Sequence, residues 1–225
     1  MTFSQWMEVL LSDQNPLLPN GNAMQVYLRA AWAAPLLVGA LWVLRVVAER
    51  KGLVVSMTAR VVLSIVLVIW ILLPGGLSPA YWLGLAFNAP ALVSVLLCIW
   101  LDWKHGAGVP SESGADSRWG RAYAVLGVAM GYVLLLDTLA LLPVQLYAWG
   151  FSPAALACAL VVAVVPCVVL NPWQRGNSWA LLMPAALLVF VLTRLPTGNV
   201  WDVVLDPLLW VALQIHWVRR DRFKV

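Results

Sequence analysis

Seven apolar runs alternate with short polar breaks along this chain. The first is Ala23 to Val47, closed by Glu49-Arg50-Lys51. The second begins at Leu53 or Thr58 and ends at Leu73, before Pro74-Gly75-Gly76. The third, Pro79 to Leu101, is closed by Asp102-Trp103-Lys104, and a polar stretch rich in Gly and Ser follows from His105 to Gly120. The others are Arg121 to Leu142, Pro153 to Leu170, Ser178 to Leu195 and Val200 to Val218, the last leading into the basic end RRDRFKV. Runs of about 17–25 residues match the thickness of a bilayer core at the α-helical rise. No water there pairs with backbone N–H and C=O groups, so such runs form helices rather than open strands. The pattern predicts an all-α fold, a polytopic transmembrane bundle of seven spans over residues 23–218. Residues 102–120 are read as a polar inner loop, 219–225 as a basic tail and 1–22 as an outer-surface segment. In that segment Phe3, Trp6, Met7, Leu10 and Leu11 recur at helical spacing, which predicts a short amphipathic helix lying on the membrane. The basic flank and long apolar core of a cleavable signal peptide are not expected there.

Composition agrees. Hydrophobic residues make up 63% of the chain and charged residues 11%, with a mean hydropathy of +0.87. A soluble domain is about half apolar and a quarter charged, and disorder needs low hydrophobicity, so both a water-soluble globule and a disordered chain are excluded. The net charge of +4 has a membrane explanation, because cytoplasmic loops are enriched in Lys and Arg; nucleic acid is not an expected partner. With the N-terminus outside and the C-terminus inside, Arg45, Arg50, Lys51, Arg60, Lys104, Arg118, Arg121, Arg175, Arg219, Arg220, Arg222 and Lys224 fall at inner ends, and Arg29 and Arg194 at outer ends. The tryptophans are expected near both interfaces, where indole rings favour the headgroup level. Cys98, Cys158 and Cys167 lie in apolar runs without CxxC spacing and read as small hydrophobes.

Two other patterns concern packing. Gly127 and Gly131 form a GxxxG, and Ala155, Ala159 and Ala163 a small-residue stripe; both predict close helix approach within the bundle. Prolines 35, 90, 166, 184 and 207 lie within apolar runs and each removes a backbone donor.

Ionisable groups in a bilayer are costly and mark candidate sites. Asp137 lies near the end of the fourth run. Asp202 and Asp206, four apart near the start of the seventh, would share one face of a continuous helix. Arg29 and Arg194 lie at similar depth, and Asn88 in the third run is placed to join them. This set is the candidate ligand-binding group: an outward-facing polar cavity for a charged ligand, a headgroup or protons. The alternative is mutual ion pairing at the interface. Pro207 calls for a kink or a break near Asp206, and carboxylates at a helix break are what ion and substrate sites in carriers use. His105 and His216 are both at inner ends, no residues have zinc-ligand spacing, and there is no P-loop. No cofactor or metal is therefore expected. The sequence leads to an expected non-catalytic accessory or scaffold subunit of a bacterial cytoplasmic membrane, its partners the lipid bilayer and a membrane protein or a second copy. A small ion-coupled permease is the alternative, and an enzyme acting on lipid-linked substrates a third.

Overall fold

The computed structural model describes residues 4, 18–106, 114–170 and 177–222, and among them it is all-α. The N-terminal amphipathic segment, the middle of the inner loop and the last residues of the tail lie outside the described residues. In chain order the helices are α1 (Gly21–Arg50), α2 (Met57–Leu72), α3 (Pro79–Phe87), α4 (Leu92–Gly106), α5 (Gly114–Thr138), α6 (Leu146–Trp149), α7 (Pro153–Val169), α8 (Leu182–Thr193), α9 (Val200–Val204) and α10 (Pro207–Arg222). Short 3-10 turns cover Gly75–Leu77 and Asn177–Leu181. Two stretches, Gly21–Arg50 and Trp119–Thr138, are helices long and apolar enough to cross a bilayer.

The starts follow local chemistry. Asn20, Ser56, Ser78, Ser152 and Asn199 each accept a hydrogen bond from a backbone amide of the helix they precede, and Asp206 does the same for α10. At Ser78-Pro79, Ser152-Pro153 and Asp206-Pro207 the cap is followed by proline, which costs nothing where the amide has no helical partner. The ends are equally local. At the end of α1, Gly52 takes a left-handed conformation, and Gly52 and Leu53 donate to the carbonyls of Glu49 and Ala48.

Three expected runs are altered. The helix of the fourth run, α5, stops at Thr138 rather than Leu142, because Ala140 adopts a φ of 55° and the amides of Ala140 and Leu141 turn back to Asp137 and Leu136. An L-residue with a methyl side chain is strained there, so Ala140→Gly is expected to raise thermal stability by about 1 kcal/mol. A lower melting temperature in detergent would contradict this. The third run is split at residues 88–91, where Asn88 has a φ of 62° and Pro90 lacks an amide. The seventh is split at Leu205, which is extended, so Asp202 and Asp206 do not share a helical face.

Two cores hold the bundle. Leu92, Ala159, Leu187, Phe190 and Val203 join α4, α7, α8 and α9, with the Ala155, Ala159 and Ala163 stripe buried in their midst. Trp32, Ile71 and Ala80 join α1, α2 and α3. Helix α5 packs mainly on α10, where a Cβ on Gly127 would stand 2.8 Å from Leu213 and one on Gly131 would overlap the Trp210 ring. The GxxxG is thus spent on an internal contact. At the Arg45 end, Asp102 lies 3.5 Å from Arg60 and 3.9 Å from Arg45, a partly exposed network joining α1, α2 and α4.

Two of the prolines leave carbonyls without helical donors, and side chains from other helices supply them. Pro166 cannot donate to Val162, whose carbonyl accepts from the Tyr123 hydroxyl of α5. Pro184 cannot donate to Ala180, whose carbonyl accepts from the Cys167 thiol at 3.1 Å. Tyr123→Phe is expected to cost about 1 kcal/mol, and less in a Pro166→Ala background where the helix regains its own donor. Equal costs in both backgrounds, by thermal unfolding of the four variants, would refute the pairing.

Candidate functional site

The two interrupted runs meet at Asp206. Oδ1 of this side chain accepts from the amide of Leu209, 2.7 Å away, capping its own helix α10. Oδ2 accepts from the amide of Ala91 at 2.8 Å, at the start of α4. The Ala91 amide, just ahead of the first turn of α4, is thus met by a carboxylate 115 residues away in sequence. Asp206 is 8% exposed. It stands where the N-terminal ends of α4 and α10 converge. The freed carbonyls on the other side of the break in the third run are met from α1: the Tyr27 hydroxyl donates to Pro90 O at 2.7 Å and the Trp32 indole to Asn88 O at 3.0 Å. The Asn88 side chain is exposed.

Asp137 and Asp202 are brought together elsewhere, on either side of Tyr147. Asp137 Oδ2 accepts from the Tyr147 amide at 2.6 Å. Asp202 Oδ2 accepts from the Tyr147 hydroxyl at 2.8 Å and from the Thr197 hydroxyl. Burial first, and the Asp202 charge second, push the Tyr147 hydroxyl well above the usual phenol range, so it remains a donor. Asn199, fully buried, accepts from the Trp201 amide at 2.9 Å and donates to Tyr147 O at 2.8 Å, and the Trp201 indole donates to Leu146 O at 2.9 Å. Gly150 completes this clasp: its carbonyl accepts from the Val200 amide at 3.0 Å, and any Cβ on it would overlap Asn199 Oδ1 and the Trp201 ring.

The candidate residues therefore fall into separate groups. Asp137 and Asp202 share Tyr147, Asp206 belongs to the helix crossing, and Asn88 lends that crossing only its carbonyl. Among the described residues neither arginine forms an ion pair with these acids. Arg194 ends α8 in a left-handed conformation with its guanidinium 5.4 Å from the Phe190 ring centre, and Arg29 is half-buried on α1. The expected ion pairing at the outer ends does not form, because the acids are held by amides and hydroxyls. Among the described residues no group of His, Cys, Asp and Glu side chains is placed to hold a metal. Sequence reasoning missed Tyr27, Trp32, Tyr147, Thr197 and Asn199. A signal existed for Asn199 alone, a cap residue with an acid three positions on.

Comparison with known families, curated proteins and solved structures found no match to this chain. What it can do rests on its own geometry.

Proposed function

We propose that this is a multi-pass protein of a bacterial cytoplasmic membrane, crossing seven times with its N-terminus outside, and that it serves there as a non-catalytic accessory or scaffold subunit. Support for the membrane comes from the faces left without protein neighbours. Val62, Ile65 and Ile69 of α2, Val161 and Val168 of α7 and Leu188 and Leu192 of α8 are all more than half exposed. Apolar surface of this extent is unfavourable in water and neutral in lipid. In the seven-span reading α3 with α4, and α9 with α10, each make one interrupted crossing. A cysteine-reactive or epitope tag at each end of the chain is expected to be reachable from opposite faces of sealed vesicles; access from one face would refute the odd number of crossings.

The non-catalytic reading is carried by one observation: both oxygens of Asp206, the one buried acid of the three, already accept from the protein's own amides, those of Ala91 and Leu209. A catalytic or transporting acid needs capacity left for its substrate. Purification in mild detergent is expected to bring down a stoichiometric membrane partner, and liposomes holding the protein alone to show no substrate-dependent proton flux. Flux without a partner would overturn the proposal in favour of a small ion-coupled carrier. That second reading is favoured by the meeting of two interrupted helices at a buried carboxylate, a disposition carriers use.

A further inference from the structure

The break in the third run leaves polar groups that the chain does not satisfy by itself. At the end of α3 the amide of Asn88 still reaches Gly84 O at 3.0 Å, and there the ladder stops. The next three carbonyls, of Leu85, Ala86 and Phe87, lose their helical donors for three different reasons. The Ala89 amide makes no hydrogen bond among the described residues, Pro90 has no amide to give, and the Ala91 amide goes to Asp206 at 2.8 Å. The Asn88 carboxamide is exposed and makes no hydrogen bond among the described residues either; only its backbone carbonyl is met, by the Trp32 indole.

Depth and surroundings decide what these groups meet. Asn88 follows the nine residues of α3. That places it about 14 Å along the crossing at the helical rise, against a hydrocarbon core of about 30 Å. Leu85, Ala86 and Phe87 are exposed along with it, and α3 leans chiefly on α1, so the break stands at the rim of the bundle. Irregular backbone at such depth persists where protein covers it, because hydrocarbon offers it no partner. Conformation points the same way. Asn88 has a φ of 62° and a ψ of −159°, where an L side chain is strained and glycine is not. The chain keeps a carboxamide where glycine would be easier, the kind of strain that accompanies a side chain in use.

We infer that this face, the break at Asn88 with the exposed Leu85 one turn before it, is where two copies of the protein meet across a two-fold axis inside the membrane. The two Asn88 carboxamides pair there, the NH2 of each donating to the C=O of the other. The inference rests on the membrane reading above and goes beyond it. A two-fold contact sets a residue against its own copy, and a carboxamide, carrying donor and acceptor together, is complementary to itself. No charged residue lies between Arg60 and Asp102 in sequence, so no like charges on α3 or around the break oppose the approach. Side-chain hydrogen bonds of this kind hold membrane helices together.

The full-length protein with a fluorescent C-terminal fusion, reconstituted in liposomes, is expected to show energy transfer between copies that fades on dilution with lipid. Asn88→Gly removes the carboxamide and relieves the backbone. It is expected to melt no lower than wild type in detergent dilute enough to hold both as monomers. In liposomes it is expected to dissociate at a roughly tenfold higher protein-to-lipid ratio, as loss of two interhelical hydrogen bonds implies. In a chain with Cys98, Cys158 and Cys167 replaced by alanine, Leu85→Cys is expected to give a disulfide-linked dimer on oxidation in the native membrane. Leu192→Cys, 76% exposed on α8, is expected to stay monomeric there. Wild-type protein that is monomeric at every ratio overturns the inference, as does a dimer whose midpoint Asn88→Gly leaves unmoved. Both outcomes leave the membrane reading standing, whereas recovery of the protein in the soluble fraction removes both. Cross-linking of Leu85→Cys to a different membrane protein alone overturns the second copy as the occupant. Should the cysteine-free chain not fold, the dilution series decides by itself.

Discussion

Asp206→Ala is expected to lower stability by about 3–5 kcal/mol, the largest effect of any single substitution among the polar residues. The change strips an acceptor from two amides at once, those of Leu209 and Ala91, in a place from which water is excluded. Each lost hydrogen bond to a carboxylate is worth about 1.5–3 kcal/mol, and the stranded amides add their own desolvation. Asp206→Asn separates structure from transport. The amide side chain keeps one acceptor and turns its NH2 towards one of the two N–H groups, so it is expected to cost about half as much. Thermal unfolding in detergent measures both. A melting temperature unchanged in Asp206→Ala would mean that the crossing of the interrupted helices is held by packing alone. Proton flux in liposomes that vanishes in Asp206→Asn, without loss of folded protein, would move the residue from scaffold to carrier.

Gly150→Ala is the second large effect. The new methyl would overlap Asn199 Oδ1 and the Trp201 ring, and neither can step aside freely. Asn199 is fully buried and holds the Trp201 amide and the Tyr147 carbonyl, and the Trp201 indole is tied to Leu146. Overpacking of this kind costs about 1–3 kcal/mol, and the hydrogen bonds it displaces about 1 kcal/mol each. Opening the clasp also releases Tyr147 from Asp202 and Asp137, so protease cleavage between residues 139 and 152 is expected to quicken. Gly127→Ala is the comparison, since the atom it meets, at 2.8 Å, is the end of a flexible Leu213 side chain. A melting temperature falling as far in Gly127→Ala as in Gly150→Ala would show that the clasp contributes no more than ordinary packing.

The sites of these changes differ in how far they were legible beforehand. The break at Asp206 was foreshadowed by Pro207, and its cap has the same form as Ser78-Pro79 and Ser152-Pro153. The break at Asn88 was harder to see, because Pro90 within an apolar run predicts a bend as readily as a split. The early end of α5 had no signal at all: Ala140 stands where glycine would announce the turn. For the candidate acids, the hydrogen-bond partners were not legible in the sequence. Charge suggested Arg29 and Arg194; the structure supplies amides, a phenol and a hydroxyl, donors that every sequence offers in quantity and none advertises.

Local chemistry and solvent preference were therefore decided along the chain. The apolar runs, their caps and their prolines dictate helices and most of their ends, because each depends on groups within a few residues or on the surrounding medium. The tertiary structure alone decided that Asp206 reaches Ala91, that Tyr147 draws Asp137 and Asp202 together, and that α5 and α10 stand off from α7 to leave an apolar crevice. These contacts join residues 10, 55 and 115 positions apart. They follow from how all the helices pack at once, which no periodicity along one strand of sequence encodes.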